Sequence, residues 1–148
     1  MRGTGPEAII YLDLGCPHCA ASWSRLRALP LRLVIRHFPV ASKHPRAPAL
    51  HRAAEAAACQ SPDTFWEMVD SLYAERGRVD DPHLWERVER LGLDLERFER
   101  DRRSDAVEQR VRSDFEGGVR GGVTATPTAF AAGRMIGSDV ADALRELL

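Results

Sequence analysis

Apolar residues fall into two rhythms along this chain: short continuous runs near both ends, and helical stripes between them. "AIIYLDL", Ala8 to Leu14, is a short apolar run with β-branched and aromatic residues, and it predicts a buried strand. "PHCAASWSRLRAL" then predicts a helix opened by Pro17, whose missing N–H would be unpaired in a first turn anyway. Pro30 stops that helix, and "LRLVIRHFPV" predicts a second strand over Leu31 to Phe38. With β-α-β connectivity the two strands should be parallel, joined by a right-handed crossover.

The middle predicts helices. "APALHRAAEAAACQ" is rich in alanine, the strongest helix former. Phe65, Val69, Leu72 and Tyr73 recur on one face of "SPDTFWEMVDSLYAERG", and Leu84, Trp85, Val88 and Leu91 on one face of "DPHLWERVERLG". Phe98 ends a shorter turn. Val107, Val111 and Phe115 mark a last long helix that "EGGVRGG" should break. The aromatics in these stripes read as core. Further on, "TPTAF" and "RMI" flank "AAG", the pattern of a hairpin. Ser138 is placed as N-cap of a closing helix whose Val140, Leu144 and Leu147 face inward. The order is strand-helix-strand, a helical block, then strand-strand-helix. This predicts an α/β chain, one domain over 1–148 with an all-helical insertion at about 46–118.

Composition narrows the function classes. A chain of 148 residues, 44% hydrophobic and 29% charged, buries a real core and is not disordered. A net charge of -1 gives no reason to expect a nucleic acid or an anionic membrane as partner. No apolar run approaches the roughly 20 residues needed to span a bilayer. "MRGTGPEAII" lacks the apolar core of a secretory signal. The chain as it stands is therefore expected in the cytoplasm, and outside it if a leader has been removed.

Three cysteines allow one bridge and a leftover thiol, which excludes a disulfide framework and moves attention to "CPHC". Residues three apart at a helix start share a face, within easy reach of a disulfide. Cys16 lies where unpaired N–H groups and the helix dipole favour a thiolate. Cys19, one turn inside, should stay buried and protonated. One attacking and one resolving sulfur are what thiol–disulfide exchange requires. His18, between them, would add to the stabilisation of the Cys16 thiolate. The metal alternative wants four ligands. Here one Cys-x-x-Cys exists, and His37, His44 and His51 fall on a predicted strand, loop and helix. No metal or other cofactor is expected, and Cys59 is expected to be a buried free thiol.

A strand, "CPHC" opening a helix, a helical insertion and "TPT" before a later strand together resemble the DsbA-like branch of the thioredoxin superfamily. "RHFPV", "HP", the alanine-rich helix ending at Cys59, "FWEMVDSLY" and "GVTATPTAFAAGR" extend the resemblance over nearly the whole chain. It implies a thioredoxin-like fold and a thiol–disulfide oxidoreductase acting on protein or peptide thiols and disulfides, with a further redox partner. It implies Cys16 as nucleophile, with Pro17 and His18 in the motif, and Cys19 as resolving thiol. It also implies a cis Pro127 packed against the cysteine pair, and a Thr126 backbone that pairs with an extended substrate. Two positions depart from the pattern. Ile10 stands where many relatives carry a buried acid, although Asp13 matches close relatives. Thr126 replaces the valine common in strongly oxidising exported enzymes. The alternatives left open are a reductase or isomerase, and a non-catalytic redox-sensing or metal-binding module.

Overall fold

The computed structural model describes residues 2–148. Its sheet has four strands in the order β2-β1-β3-β4: β1 Glu7–Leu12, β2 Arg32–His37, β3 Thr128–Ala131 and β4 Arg134–Ile136. β1 and β2 are parallel, with Ile10 opposite Ile35, and β3 runs antiparallel to both β1 and β4. Helix α1, Pro17–Ala28, joins β1 to β2. Five helices separate β2 from β3: α2 Ala47–Gln60, α3 Pro62–Ala74, α4 Asp81–Arg90, α5 Leu95–Arg102 and α6 Asp105–Arg120. α7, Val140–Glu146, follows the hairpin. This is the mixed α/β order that the hydrophobic pattern predicts.

β1 organises the packing. Ala8, Ile10 and Leu12 alternate onto one face, where they are fully buried in a core with Leu26 of α1 and Leu144 of α7. A slip of one residue would turn all three to the other face, so the register is strongly specified. On that other face Tyr11 stands edge-on to Phe38 and Phe130, and Phe38 stacks on Phe115 of α6 at 4.5 Å. The far half of α1 is tied to α3 by one carboxylate. Asp70 accepts the Trp23 indole N–H at 2.6 Å and both ends of the Arg27 guanidinium at 3.0 and 2.7 Å.

Several elements differ from the sequence expectation, each for a local reason. β1 ends two residues early because the Asp13 carboxylate takes the Gly15 and Val40 amides and turns the chain. β2 is one residue shorter at each end than Leu31 to Phe38. α6 runs through Gly117 and Gly118 instead of breaking there. A Cβ at Gly118 would lie 2.9 Å from carbons of Phe38 and Tyr11, so the bare backbone lets α6 approach the aromatic cluster. Phe98 lies inside α5, which Asp94 caps by accepting the Arg97 amide. Trp85 is 39% exposed and donates its N–H to Glu99 rather than joining the core, while Phe65 and Leu91 are half-buried. Asp139, not Ser138, precedes α7, with φ of 46° and no side-chain cap, and Leu147 is exposed. Cys59 is exposed in the last turn of α2, contrary to the expected burial.

Candidate active site

Cys16 occupies the N-cap of α1, with extended backbone (φ -87°, ψ 125°), and Pro17 opens the helix behind it. The turn leading to it is fully hydrogen-bonded. The Cys16 amide donates to the Asp13 carbonyl at 3.0 Å, the Gly15 amide to the Asp13 carboxylate at 2.9 Å, and the Leu14 amide to His51 Nε2 at 2.9 Å. Cys16 and Cys19 are both unpaired; Cys16 is 5% exposed and Cys19 0%. The nucleophile candidate is thus more enclosed than a fully open helix mouth would leave it.

Electrostatics separate the two sulfurs. The Cys16 thiol is pulled down to about 5, first by the hydrogen bond from Cys19. The Thr126 hydroxyl and the Cys19 and His18 amides add to this against the opposing effect of burial. Burial pushes Cys19 far up, and its donation to Cys16 pushes it further. Pro17 and His18 are exposed, and the backbone N–H of His18 is the group that faces the Cys16 sulfur.

Thr126 and Pro127 reach this helix mouth through the sheet. β3 pairs antiparallel with β1, Tyr11 opposite Thr128, so the segment before Thr128 runs past the end of β1. The Cys16 thiol donates to the Thr126 carbonyl at 3.8 Å, and the Thr126–Pro127 bond is cis.

Ile10 is a fully buried core residue. Asp13, also fully buried, is held below the usual carboxylate range despite its burial, with the Val40 and Gly15 amides donating to its carboxylate. Sequence reasoning missed three contributors. Tyr73, read as core, donates its hydroxyl to the Asp13 carbonyl at 3.0 Å and lies against Cys19; burial and the neighbouring charges raise its pKa. His37 and His51, separated by the sequence reading, meet at 2.8 Å between their Nδ1 atoms, and His37 Nε2 lies 2.6 Å from Glu55 Oε1. The signal was present in the spacing of His51 and Glu55, one turn apart on α2, but their partner on β2 is a tertiary contact. His44 lies instead against Gly15. No cluster with the makings of a metal site occurs among the described residues.

Two cysteines three residues apart at a helix start, beside the segment that leads into β3, sit in a mixed α/β fold of the thioredoxin type. The family model described as "DSBA-like thioredoxin domain" matches residues 8–148. The chain belongs to that family. Among solved structures, it resembles the thiol-disulfide exchange protein alpha-DsbA2 of Wolbachia pipientis. The TM-score is 0.87 and the identity 18%, with 99% of this chain and 82% of that one covered. Pseudomonas aeruginosa DsbA2 gives a TM-score of 0.71 at 24% identity, covering 96% and 88%. At these identities the likeness is one of fold. In sequence, the chain is 40% identical over 143 residues to the Na(+)/H(+) antiporter NhaA of Herminiimonas arsenicoxydans. That match takes in 89% of this chain and 22% of the antiporter. NhaA 1 of Salinispora arenicola is 37% identical over 129 residues, with 84% and 20% covered. The chain therefore spans about one fifth of the length of these curated relatives.

Proposed function

We propose that this chain exchanges disulfides with protein or peptide thiols through Cys16 and Cys19, as one thioredoxin-like domain carrying its helices 47–120 as an insertion. One observation carries the reading: an acidic, helix-capping Cys16 sits above a buried, protonated Cys19. In the oxidising direction a substrate thiolate attacks Cys16 Sγ, the Cys16–Cys19 bond breaks, and Cys19 leaves as a thiolate that takes up a proton. A second substrate thiolate attacks the first substrate sulfur, forming the product disulfide and releasing the Cys16 thiolate. The acidity of Cys16 makes it a good leaving group in this step. In the reducing direction the same bonds form and break in reverse, and Cys19 gives up its proton. Thr126, whose carbonyl meets the Cys16 sulfur, offers its backbone to an extended substrate segment, the cis Pro127 follows it, and Pro17 fixes the helix start. The electron pairs reside on the sulfurs, so the step needs no further redox group on the protein.

Turnover of a disulfide-bonded peptide, with Cys16→Ala as control, tests the proposal. Loss of turnover in the variant is expected, and equal turnover in both would end it. The reduction potential then sets the direction and with it the compartment: an oxidant suits an exported setting, a reductase a thiol-rich one. No helix among the described residues is long and apolar enough to cross a membrane. A second reading comes from the antiporter relatives. A dithiol domain within a longer transporter would report redox state to the rest of that chain, and Cys16→Ala would then change transport without any peptide turnover.

A further inference from the structure

Behind the Cys16 turn lies a polar chain that the exchange chemistry does not use. His51 of α2 is buried, its Nε2 accepts the Leu14 amide, and its Nδ1 faces His37 Nδ1 of β2. His37 Nε2 in turn meets Glu55 Oε1, which is the part of the chain closest to solvent. The remaining groups around it are equally defined. The Asp13 carboxylate is 3.6 Å from His51 Nε2, and Asp114 of α6 accepts the His37 amide at 3.1 Å. Arg110 of α6 acts on Glu55, and the Phe65 ring of α3 stands edge-on to His37 at 6.0 Å.

The protons in this chain have one consistent arrangement. An amide N–H can only donate, so His51 Nε2 must be an acceptor and the proton of a neutral His51 sits on Nδ1. That proton points at His37 Nδ1, which must then accept, placing the His37 proton on Nε2 and directing it to the Glu55 carboxylate. A charged ring at either position would set one N–H against another. Both imidazoles are therefore neutral and Glu55 is ionised, in keeping with a His51 pKa pushed down to about 4 by burial. The consequence reaches the nucleophile. Leu14, Gly15 and Cys16 donate three successive amides, and the first of them ends on His51.

We propose that His51 is a positioning residue for Cys16: its Nδ1–H tautomer, locked through His37 by Glu55, holds the Leu14–Gly15 turn that sets Cys16 at the mouth of α1. The inference rests on the reading of Cys16 as the attacking sulfur. Without the His51 acceptor the buried Leu14 amide is orphaned, the turn shifts to find water, and the amides converging on the Cys16 sulfur lose their aim.

Two measurements on the reduced full chain test it. Nuclear magnetic resonance of isotope-labelled histidine at neutral pH should show His51 as the Nδ1–H tautomer and His37 as the Nε2–H tautomer, both neutral, with His51→Gln and His37→Gln assigning the signals. The pH titration of the Cys16 thiolate should then move up by about one unit in His51→Leu, making alkylation in the acidic range about tenfold slower. In His51→Gln, whose amide oxygen takes over the Leu14 N–H, it should stay within about twofold of wild type. An Nε2–H or charged His51 in the wild-type protein overturns the proposal even if His51→Leu does not fold. So does a folded His51→Leu that melts lower yet titrates Cys16 unchanged, since that is a structural role alone. Preferential labelling of Cys19 or Cys59 in the wild type would instead remove the exchange reading, and this proposal with it, whatever the tautomers.

Discussion

Cys16 and Cys59 stand at opposite kinds of helix end. Cys16 caps the start of α1, where amides converge on its sulfur, and its thiol is pulled down to about 5. Cys59 lies in the last turn of α2, among carbonyls; partial burial and the carboxylates of Asp101 and Glu55 push its thiol up. Cys59 is the more exposed of the two and the less acidic. Reactivity in this chain should follow the local field rather than access to water, because the thiolate is the species that attacks.

The largest expected effect is at turnover. Cys16→Ala should abolish disulfide exchange, Cys19→Ala should accumulate mixed disulfides on Cys16, and Cys59→Ala should leave turnover at the wild-type rate. A peptide-disulfide assay combined with mass analysis of trapped adducts checks all three. Loss of turnover in Cys59→Ala would reverse the ranking of the two helix ends.

Limiting alkylation of reduced protein in mildly acidic buffer comes next. The thiolate fraction favours Cys16 over Cys59 by about a thousandfold or more, and the weaker nucleophilicity of an acidic thiolate takes back about a hundredfold. Cys16 should thus be modified at least about tenfold faster, as read by peptide mapping. Equal labelling would show that exposure, not the field, governs.

Stability should depend on redox state and pH together. An unfolded cysteine ionises near pH 8.5, whereas folded Cys16 does so at about 5. The thiolate's contribution is complete above the unfolded value and is lost as pH falls through the folded one. The disulfide form has no such thiolate. At neutral pH the reduced protein should melt several degrees higher, with the gap closing as pH falls towards about 5. If the oxidised form melts higher at neutral pH, Cys16 does not drive the pair as an oxidant and the reductase reading takes over.

The smallest effect belongs to a helix end without redox chemistry. Ser104 caps α6 by accepting the Val107 amide at 3.2 Å. Ser104→Ala should cost about 1 kcal/mol in denaturant unfolding while leaving the Cys16 titration where it is. A shifted Cys16 titration would mean that α6 reaches the site more directly than its place against β2 suggests.

What the sequence made legible was local. The run at Ala8, the proline at the head of α1 and the alanine stretch of α2 each carry their element in neighbouring residues, and α2 spans Ala47–Gln60 as its composition predicts. The cysteine pair was legible for the same reason: helix-start chemistry is fixed within one turn. What escaped was tertiary. Gly118 reads as a breaker until Tyr11 and Phe38 lie against it. Trp85 reads as core until Glu99 offers its indole a partner at the surface. Tyr73 shows in the sequence as one more aromatic in a stripe, and nothing local shows that its hydroxyl ends on the Asp13 carbonyl. His37 and His51 needed a strand and a helix to be brought together.

The carboxylate of Asp70 gives α1 a mechanical character. With Trp23 and Arg27 fastened to it at one end, and the Asp13–Cys16 turn fastened at the other, the helix is a beam clamped at both supports. Such a beam should resist displacement along its length when a bond opens at its mouth. What reduction should change is charge: with its thiol pulled down to about 5, the enclosed Cys16 sulfur should be an anion at neutral pH. A molecule that distinguishes two redox forms of this pair should therefore read one negative charge at Cys16 rather than a change of shape.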